Sequence, residues 1–426
     1  MNILTNMGTG ELMIISSVFF ILLIILSLVI MILIAKKKMM PAGNVEVVVN
    51  KERKLDVPMG GTLLNTLQAN NIFLSSACGG GGTCGQCGCR VPEGGGEILP
   101  TEKVFFSRKE QQGHWRLSCQ VKVKDNMSIV VPDEVFGVKE WECEVISNKN
   151  VSSFIKEFVV KLPEGEKLVF EPGLYSQINV PKYKSIKFSD FAIEDEYKAE
   201  WDKFKMWDLE TRNDDDTVRA YSMANYPAEG NIITLNVRIA TPPWDKEKNT
   251  WADVNPGIVS SYIFNLKPGD KVMMSGPYGH FIPIYDSKRE MLWVGGGAGM
   301  APLRAQIMHL LKTLQIRDRK MSYFYGARAL GEAFYLEDFY ELEREFPNFT
   351  FHLALDRPDP LADEAGVKYT VGFVHQVIHD TYLVNHEAPE DIEYYMCGPG
   401  PMANAVEKML DDLGVPAEMV MFDDFG

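Results

Sequence analysis

Cys78-Gly79-Gly80-Gly81-Gly82-Thr83-Cys84-Gly85-Gln86-Cys87 packs three thiols and five glycines into ten residues, and Cys119 follows in Arg116-Leu-Ser-Cys119-Gln. Two-iron iron–sulfur clusters are held by four thiolates, commonly three on one loop and one further along. A loop that wraps such a cluster and aims backbone N–H groups at its sulfides needs φ > 0, which glycine adopts at little cost. Four consecutive glycines between two cysteines fit neither a packed core nor an ordinary turn. The competing reading is structural zinc, since Cys84-x-x-Cys87 has knuckle spacing. Zinc sites usually pair two such knuckles, however, and Cys119 has no close companion in sequence. The candidate ligands are Cys78, Cys84, Cys87 and Cys119, with Cys89 an additional thiol that could replace one of them.

This spacing resembles the [2Fe-2S] ferredoxins with a long first gap, of the adrenodoxin type, which implies a β-grasp fold. The flanking residues agree. Val45–Val49 reads as a strand with Lys51–Val57 as its hairpin partner, and Thr62 caps a short helix carrying Leu63, Leu64 and Leu67. Leu117–Val131 alternates as a strand that returns Cys119 to the loop, and Pro132-Asp133 closes a domain over 44–133.

Upstream, Leu12–Ala35 contains no charged residue, long enough for a bilayer-spanning helix, and Lys36-Lys37-Lys38 follows it. A cleaved signal peptide is the competing reading, but its basic residues precede the apolar run. Residues 1–35 are therefore expected to be a retained single-pass anchor, joined by a linker over 36–43, with the N-terminus outside and the bulk of the chain cytoplasmic. The run holds no ionisable group for moving an ion. The chain has 426 residues, enough for two to three domains, and a net charge of −15, which argues against nucleic acid as a partner. Beyond the four candidate ligands, Cys89, Cys143 and Cys397 are odd in number and far apart, which is no disulfide framework. His375 and His379 lack the glutamate of the zinc-protease pattern, because position 376 is Gln.

After residue 138, short strands with Gly/Pro turns suggest an antiparallel barrel over 138–285. An insertion over 182–217, acidic and aromatic, reads as one helix, either a solvated surface or a docking face. Arg219-Ala-Tyr221-Ser222 follows it, then Arg238 on a strand, then Gly257-Ile-Val-Ser260. Arg offers a planar fork to a diphosphate, Tyr a flat face, Ser a small hydroxyl, and a Gly-to-helix step a phosphate-binding N-terminus. In this order the motifs resemble the ferredoxin–NADP reductase superfamily. That resemblance implies FAD, with Arg219, Tyr221, Ser222, Arg238, Gly257 and Ser260 contacting it.

Met291–Val294 begins a third unit, 286–426, in which strands alternate with helices, so a mostly parallel sheet is expected. Gly295, Gly296, Gly297 and Ala298 form a phosphate-type turn before a helix expected over Ala301–Leu314. It is not the dinucleotide fingerprint, because Met300 occupies the third glycine position. Arg328 and Cys397 stand at other strand ends. The same superfamily resemblance places Cys397-Gly-Pro near a nicotinamide, although a buried core cysteine is an equal reading of the position alone. It also makes the terminal Phe425 a flavin shield, with Phe422 as alternative. Ser222 and Cys397 are the candidate catalytic side chains. The extra glycine in Gly398-Pro-Gly-Pro departs from the superfamily turn.

Taken whole, the chain combines α+β and α/β modules behind an anchor. It resembles the F subunits of bacterial sodium-translocating NADH:quinone oxidoreductases, carried by Arg219–Tyr226, the insertion before it and the terminal Phe-Asp-Asp-Phe-Gly. The resemblance implies NADH as substrate, FAD and [2Fe-2S] as cofactors, membrane-integral partner subunits, quinone reached indirectly, and the inner bacterial membrane. The alternative is a reductase component feeding an oxygenase, which uses the same modules. A carrier with a dead nucleotide fold would require loss of Arg219, Tyr221 and Ser260, and all are present. For NADH against NADPH the residues pull both ways: Arg328 could take a 2′-phosphate and Glu332 repel it.

Overall fold

The computed structural model describes residues 17–31 and 43–423. Residues 17–31 are helical and exposed, and among the described residues no helix is long and apolar enough to cross a membrane. The two ends of the expected anchor, most of the linker and Phe425 lie outside the described residues. The chain divides into two compact units. One comprises the chain to Asn70 and Gly88–Pro132; the other comprises Asn71–Cys87 and the chain from Asp133 onward.

The first unit is a five-stranded sheet built from β1 (Asn44–Val49), β2 (Arg53–Pro58), β3 (Gly88–Glu93), β4 (Trp115–Leu117) and β5 (Met127–Val130), in the order β2-β1-β5-β3-β4. β1 pairs antiparallel with β2 and parallel with β5. Val45, Val47 and Val49 are buried while Asn44 and Glu46 face solvent, the period-2 pattern of a half-buried strand. The helix Leu63–Gln68 starts where Thr62 Oγ1 accepts the Asn65 N–H (3.3 Å) and buries Leu63, Leu64 and Leu67. The expected single strand over Leu117–Val131 is instead two, β4 and β5. Val121 and Val123 between them are buried, but their backbone bonds run to Leu63 and Gly61 at the helix start rather than along the sheet. Their alternation is that of an extended segment packed on the helix. Glu102 and Arg116 form a buried ion pair (2.8 Å), and Glu102 also accepts the N–H groups of Leu99 and Leu117, so its charge is compensated.

In the second unit, β6 (Lys139–Ser152), β7 (Ile155–Lys161), β8 (Tyr175–Val180), β9 (Tyr183–Lys187), β10 (Glu210–Asn213), β11 (Thr217–Ser222), β12 (Ile232–Arg238), β13 (Trp244–Asp245), β14 (Thr250–Trp251) and β15 (Lys271–Tyr278) follow in sequence. Six of them form an antiparallel sheet, β11-β8-β15-β6-β7-β12. Its edges meet through a Met223–Leu235 bridge and the Ala224 N–H bond to Thr234 O (2.7 Å), which rolls the sheet into a barrel. The insertion holds more than a helix. β9 and β10 pair with each other, and the helix Asp195–Lys203 lies between them. Trp201 is neither solvated nor available for docking. It is fully buried in the barrel's own core with Phe188, Phe191 and Phe264, and its indole N–H donates to Ser153 O at 2.6 Å. A bulky aromatic with a satisfied polar edge is stable in a core, and that overrides the charge pattern around it.

The remaining strands are β16 (Met291–Gly296), β17 (Met321–Ala327), β18 (Phe349–Leu355), β19 (Thr370–Val371), β20 (Glu393–Cys397) and β21 (Val420–Asp423). They form a wholly parallel sheet in the order β19-β18-β17-β16-β20-β21. β16 and β20 are buried at every position, as expected where helices cover both faces. The helix after the glycine turn covers Met300–Met308 and then loosens into a wider turn over His309–Thr313, short of the regular helix expected to Leu314. The order of connection reverses between β16 and β20, which makes their carboxyl ends the expected ligand crevice.

If the insertion belongs to the barrel core, Trp201→Ala should cost about 3–5 kcal/mol and lower the melting temperature by several degrees in a thermal scan. An unchanged melting temperature would detach the insertion from that core.

Candidate functional site

A cleft of about 1590 Å³ runs between the barrel and the parallel sheet of the second unit. From the barrel it is lined by Arg219, Tyr221 and Ser222 of β11, Arg238 at the end of β12, and Gly257 and Ser260 where the helix Ile258–Asn265 begins. From the sheet come Gly296, Gly297 and Ala298, and Arg328 just past β17. A smaller cleft of about 990 Å³, with Lys288, Arg289 and Glu418 in its wall, sits at the amino ends of β16 and β20 and holds none of the predicted residues. Ligands of parallel sheets bind at carboxyl ends, so the larger cleft is the functional one.

Two predicted residues stand back from the cleft wall. Gly295 is buried in β16, where a side chain would meet Tyr323 Oη at 2.7 Å, so its smallness serves packing. Cys397 is fully buried, its Sγ 3.4 Å from Asp423 O and 3.9 Å from Asp423 Oδ2. Ser222 Oγ donates to the same Asp423 carboxylate at 2.7 Å. β21 pairs beside β20 with Asp423 opposite Cys397, and this register unites the two candidate catalytic side chains through one acid. Asp423 is missing from the sequence-based site. Its only signal in the sequence is the acidic pair inside the terminal Phe-Asp-Asp-Phe, where the flanking aromatics carry the more obvious chemistry.

The helix Ile258–Asn265 has no side-chain cap at Gly257, so its first N–H groups remain free to bind an anion. Ser260 Oγ accepts the Ala240 N–H and donates to Gly257 O, both at 3.2 Å, so this hydroxyl fixes the loop's shape. Arg219 Nη1 donates to Val218 O at 2.7 Å, its one hydrogen bond among the described residues. Burial pushes the Tyr221 phenol up, keeping a neutral ring at the wall. In the glycine turn, Gly297 (φ +56°) leaves open space beside the Arg238 guanidinium. A Cβ on Gly299 would overlap the Cys397 carbonyl, so only glycine lets the turn lie against β20. Trp251 adds an indole N–H that is buried at the wall with no bonding partner among the described residues. Uncapped helix N–H groups, a free guanidinium edge, a flat phenol and this orphan donor fit a flavin dinucleotide. At the far end Arg328 is gripped by Glu332 through two bonds, and Asp356 and Phe373 join the wall.

The cysteine loop, Asn71–Cys87, packs on the barrel within this same unit. Cys78 and Cys84 sulfurs lie 3.4 Å apart. The Cys84 thiol donates to Cys78, which with backbone N–H groups of Thr83 and Cys84 holds the Cys78 thiol well below its ordinary range; Cys84 is raised in return. Backbone donors aimed at sulfur suit thiolates bound to iron. A close pair of thiols is what one iron of a two-iron cluster takes. Cys87 and Cys119 are buried, and Cys119 Sγ accepts the Gln120 side-chain amide at 3.4 Å. Cys89 is a different kind of thiol. It is fully buried in β3 opposite Arg116, and burial pushes it up to about 12.

Three family models match in series: the 2Fe-2S iron–sulfur cluster binding domain over residues 47–124, the oxidoreductase FAD-binding domain over 203–282, and the oxidoreductase NAD-binding domain over 293–408. The chain is 55% identical to the F subunit of the Na(+)-translocating NADH-quinone reductase of Methylococcus capsulatus and 52% identical to that of Pseudomonas aeruginosa. Each alignment covers 91% of this chain and 93% or 92% of the relative. The chain belongs to this family of F subunits. Like the family it carries FAD, a [2Fe-2S] cluster and an NADH site, and transfers electrons in that chemistry. Among solved structures it resembles the Amycolatopsis cytochrome P450 reductase GcoB (TM-score 0.61, 22% identity, covering 89% of this chain and 98% of that one). It also resembles the ferredoxin reductase in carbazole 1,9a-dioxygenase (TM-score 0.58, 21% identity, 90% and 98%). These reductases share the fold, and it is the relatives among the NADH-quinone reductases that decide the family over the oxygenase-reductase alternative.

In this family member, Cys89→Ala should leave the visible absorbance of the cluster intact, whereas Cys84→Ala should remove most of it. Loss of the cluster in the Cys89 variant would reverse the ligand assignment.

Proposed function

We propose that the chain is the NADH-oxidising, membrane-anchored subunit of a sodium-exporting NADH:quinone oxidoreductase in the inner membrane of a bacterium. Its modules over 44–133, 138–285 and 286–426 face the cytoplasm, and its N-terminus lies outside. Its partners are the membrane-integral subunits of that complex, through which quinone is reached. The uncharged run Leu12–Ala35 followed by three lysines supports the anchor, and the names of the relatives support the complex.

The observation that carries the electron path is the placement of the cysteine loop against β11. A Cβ on Gly79 would overlap the carbonyl of Val218, the residue before Arg219, so the thiol loop and the flavin strand touch. When bound, FAD accepts a hydride's two electrons from NADH and releases them singly, and the [2Fe-2S] cluster takes one at a time. Arg219 and the N–H groups opening the helix at Gly257 hold the diphosphate, and Tyr221 backs the ring. Ser222 keeps its hydroxyl proton on Asp423 Oδ2, and Cys397 lies behind the same carboxylate. Both side chains therefore position the reacting edges. Cys78, Cys84, Cys87 and Cys119 hold the cluster. Gly296, Gly297, Ala298 and Arg238 border the space for the NADH diphosphate. Arg328 is already gripped by Glu332, and Asp356 adds a second carboxylate, so a 2′-phosphate would meet two acids there.

The test is an anaerobic NADH titration of the full chain, following flavin absorbance and the EPR signal of the cluster together. Flavin bleaching accompanied by a [2Fe-2S] signal is expected. In Cys119→Ala the bleaching should persist and the signal vanish; loss of bleaching with FAD still bound would sink the modular path. Glu332→Gln should raise kcat/KM for NADPH relative to NADH by about tenfold, ~1.4 kcal/mol of relieved repulsion. An unchanged ratio would place the selectivity elsewhere.

A further inference from the structure

The insertion between β9 and β10 is still without a role, and three of its polar contacts meet on one hairpin, the turn that joins β6 to β7. Glu194 Oε2 accepts the Asn150 N–H at 3.0 Å, and the Trp201 indole N–H donates to Ser153 O at 2.6 Å. The buried Lys156 Nζ donates to Ala192 O, also at 2.6 Å. The other side of this hairpin belongs to the parallel sheet. Ile155 is buried in the core of the sheet and Val151 packs against that core, although both stand on barrel strands. At the turn, the Ser153 N–H donates to Gly331 O at 3.3 Å. Ser153 therefore carries Trp201 on its carbonyl and Gly331 on its amide. Gly331 directly precedes Glu332, which grips Arg328 in the cleft wall.

We propose that the insertion braces the turn that discriminates NADH from NADPH, and that Trp201 is a positioning residue for this selectivity, acting through Ser153. The inference rests on the reading of Glu332 as the group that repels a 2′-phosphate. Repulsion discriminates only while the carboxylate keeps its distance, because the energy of two charges falls with separation and solvent screens a group that swings away. Glu332 lies on a short turn, Leu330–Glu332, which is fixed from two sides. From the sheet, Asp359 Oδ2 accepts the Leu330 N–H at 2.6 Å; from the barrel, Ser153 holds the Gly331 carbonyl. The barrel-side hold is only as firm as the hairpin that provides it. Ser153 is buried, so its carbonyl requires a donor, and the insertion supplies one. Glu194 and Lys156 fix the hairpin on either side of that bond, and the hairpin transmits the fixed position to Gly331. The 2′-phosphate position is remote from the reacting ring, so the brace bears on KM rather than on kcat.

The test uses the full chain with FAD bound and ferricyanide as electron acceptor, and determines kcat and KM for NADH and for NADPH. Trp201→Phe keeps a buried ring and removes the indole N–H. It should raise KM for NADH, and raise kcat/KM for NADPH relative to NADH by about two- to tenfold, the equivalent of one lost hydrogen bond. The kcat with NADH should not change. Glu194→Ala removes a second bond to the hairpin without entering the core, should shift the ratio in the same direction, and decides the matter if Trp201→Phe loses its flavin. In a Glu332→Gln background neither substitution should move the ratio further, because their effect runs through that carboxylate. A ratio unchanged in both insertion variants, or shifted equally with and without Glu332, would overturn the brace. If Glu332→Gln alone leaves the ratio unchanged, the selectivity assignment itself fails. A raised KM for NADH in the insertion variants then still upholds the brace, and an unchanged KM overturns it.

Discussion

The approach of the cysteine loop to the flavin strand is the constraint on which the rest depends. Gly79 lies where any side chain would strike the backbone of β11, and its φ of +63° is one that non-glycine residues adopt only with strain. On its other flank the loop is held by Tyr175 of β8, whose hydroxyl bonds to Ser75 and, at 2.8 Å, to Gln86 Oε1. Tyr175 stacks on Tyr278 of β15 and packs on Phe73, and burial pushes its phenol up, so the group stays a neutral hydrogen-bonding post. Two neighbouring barrel strands and β11 thus set the position of the segment that carries Cys78 and Cys84. The loop's sequence belongs to the ferredoxin, but its packing belongs to the barrel.

A second dependency runs through Asp423. A six-stranded parallel sheet needs its last strand in one register, because a slip of one residue would turn each side chain to the opposite face. In the observed register Cys397 stands opposite Asp423, and Asp423 reaches Ser222 on the barrel. Asp423 therefore links the parallel sheet to the barrel through Ser222, a residue of the cleft wall. Deep in the same sheet, Arg319 and Glu393 pair at 2.8 Å, with Arg319 also donating to Ile284 O and Arg289 O. Such a buried ion pair adds little net energy but is costly to break, and it ties the start of β20 to the barrel-to-sheet connection.

Much of this is legible in the residues because it is local. The glycine-flanked thiols, the Arg-x-Tyr-Ser strand and the glycine turn after β16 each carry their chemistry within a few positions, and the latter two line one cleft. What escapes is produced by tertiary pairing. Asp423 gains meaning only through strand register. Trp201 looks like part of a charged surface helix until the barrel closes over it. Cys89 and Cys87 are two residues apart and both buried, and it is strand pairing that sets Cys89 opposite Arg116. Ser260 lines the cleft, and the bonds of its hydroxyl within its own loop are another product of tertiary structure.

The insertion illustrates why composition misleads at such places. Its charged residues dominate the reading, while Phe188, Phe191 and Trp201 are buried in the core of the barrel. A segment with its own buried anchor can hold its tip still, and Phe204 is presented from that tip only three residues after Trp201. Rigid placement matters at this position because Phe204 forms part of the cleft wall, and a wall residue carried by its own buried core keeps one position there.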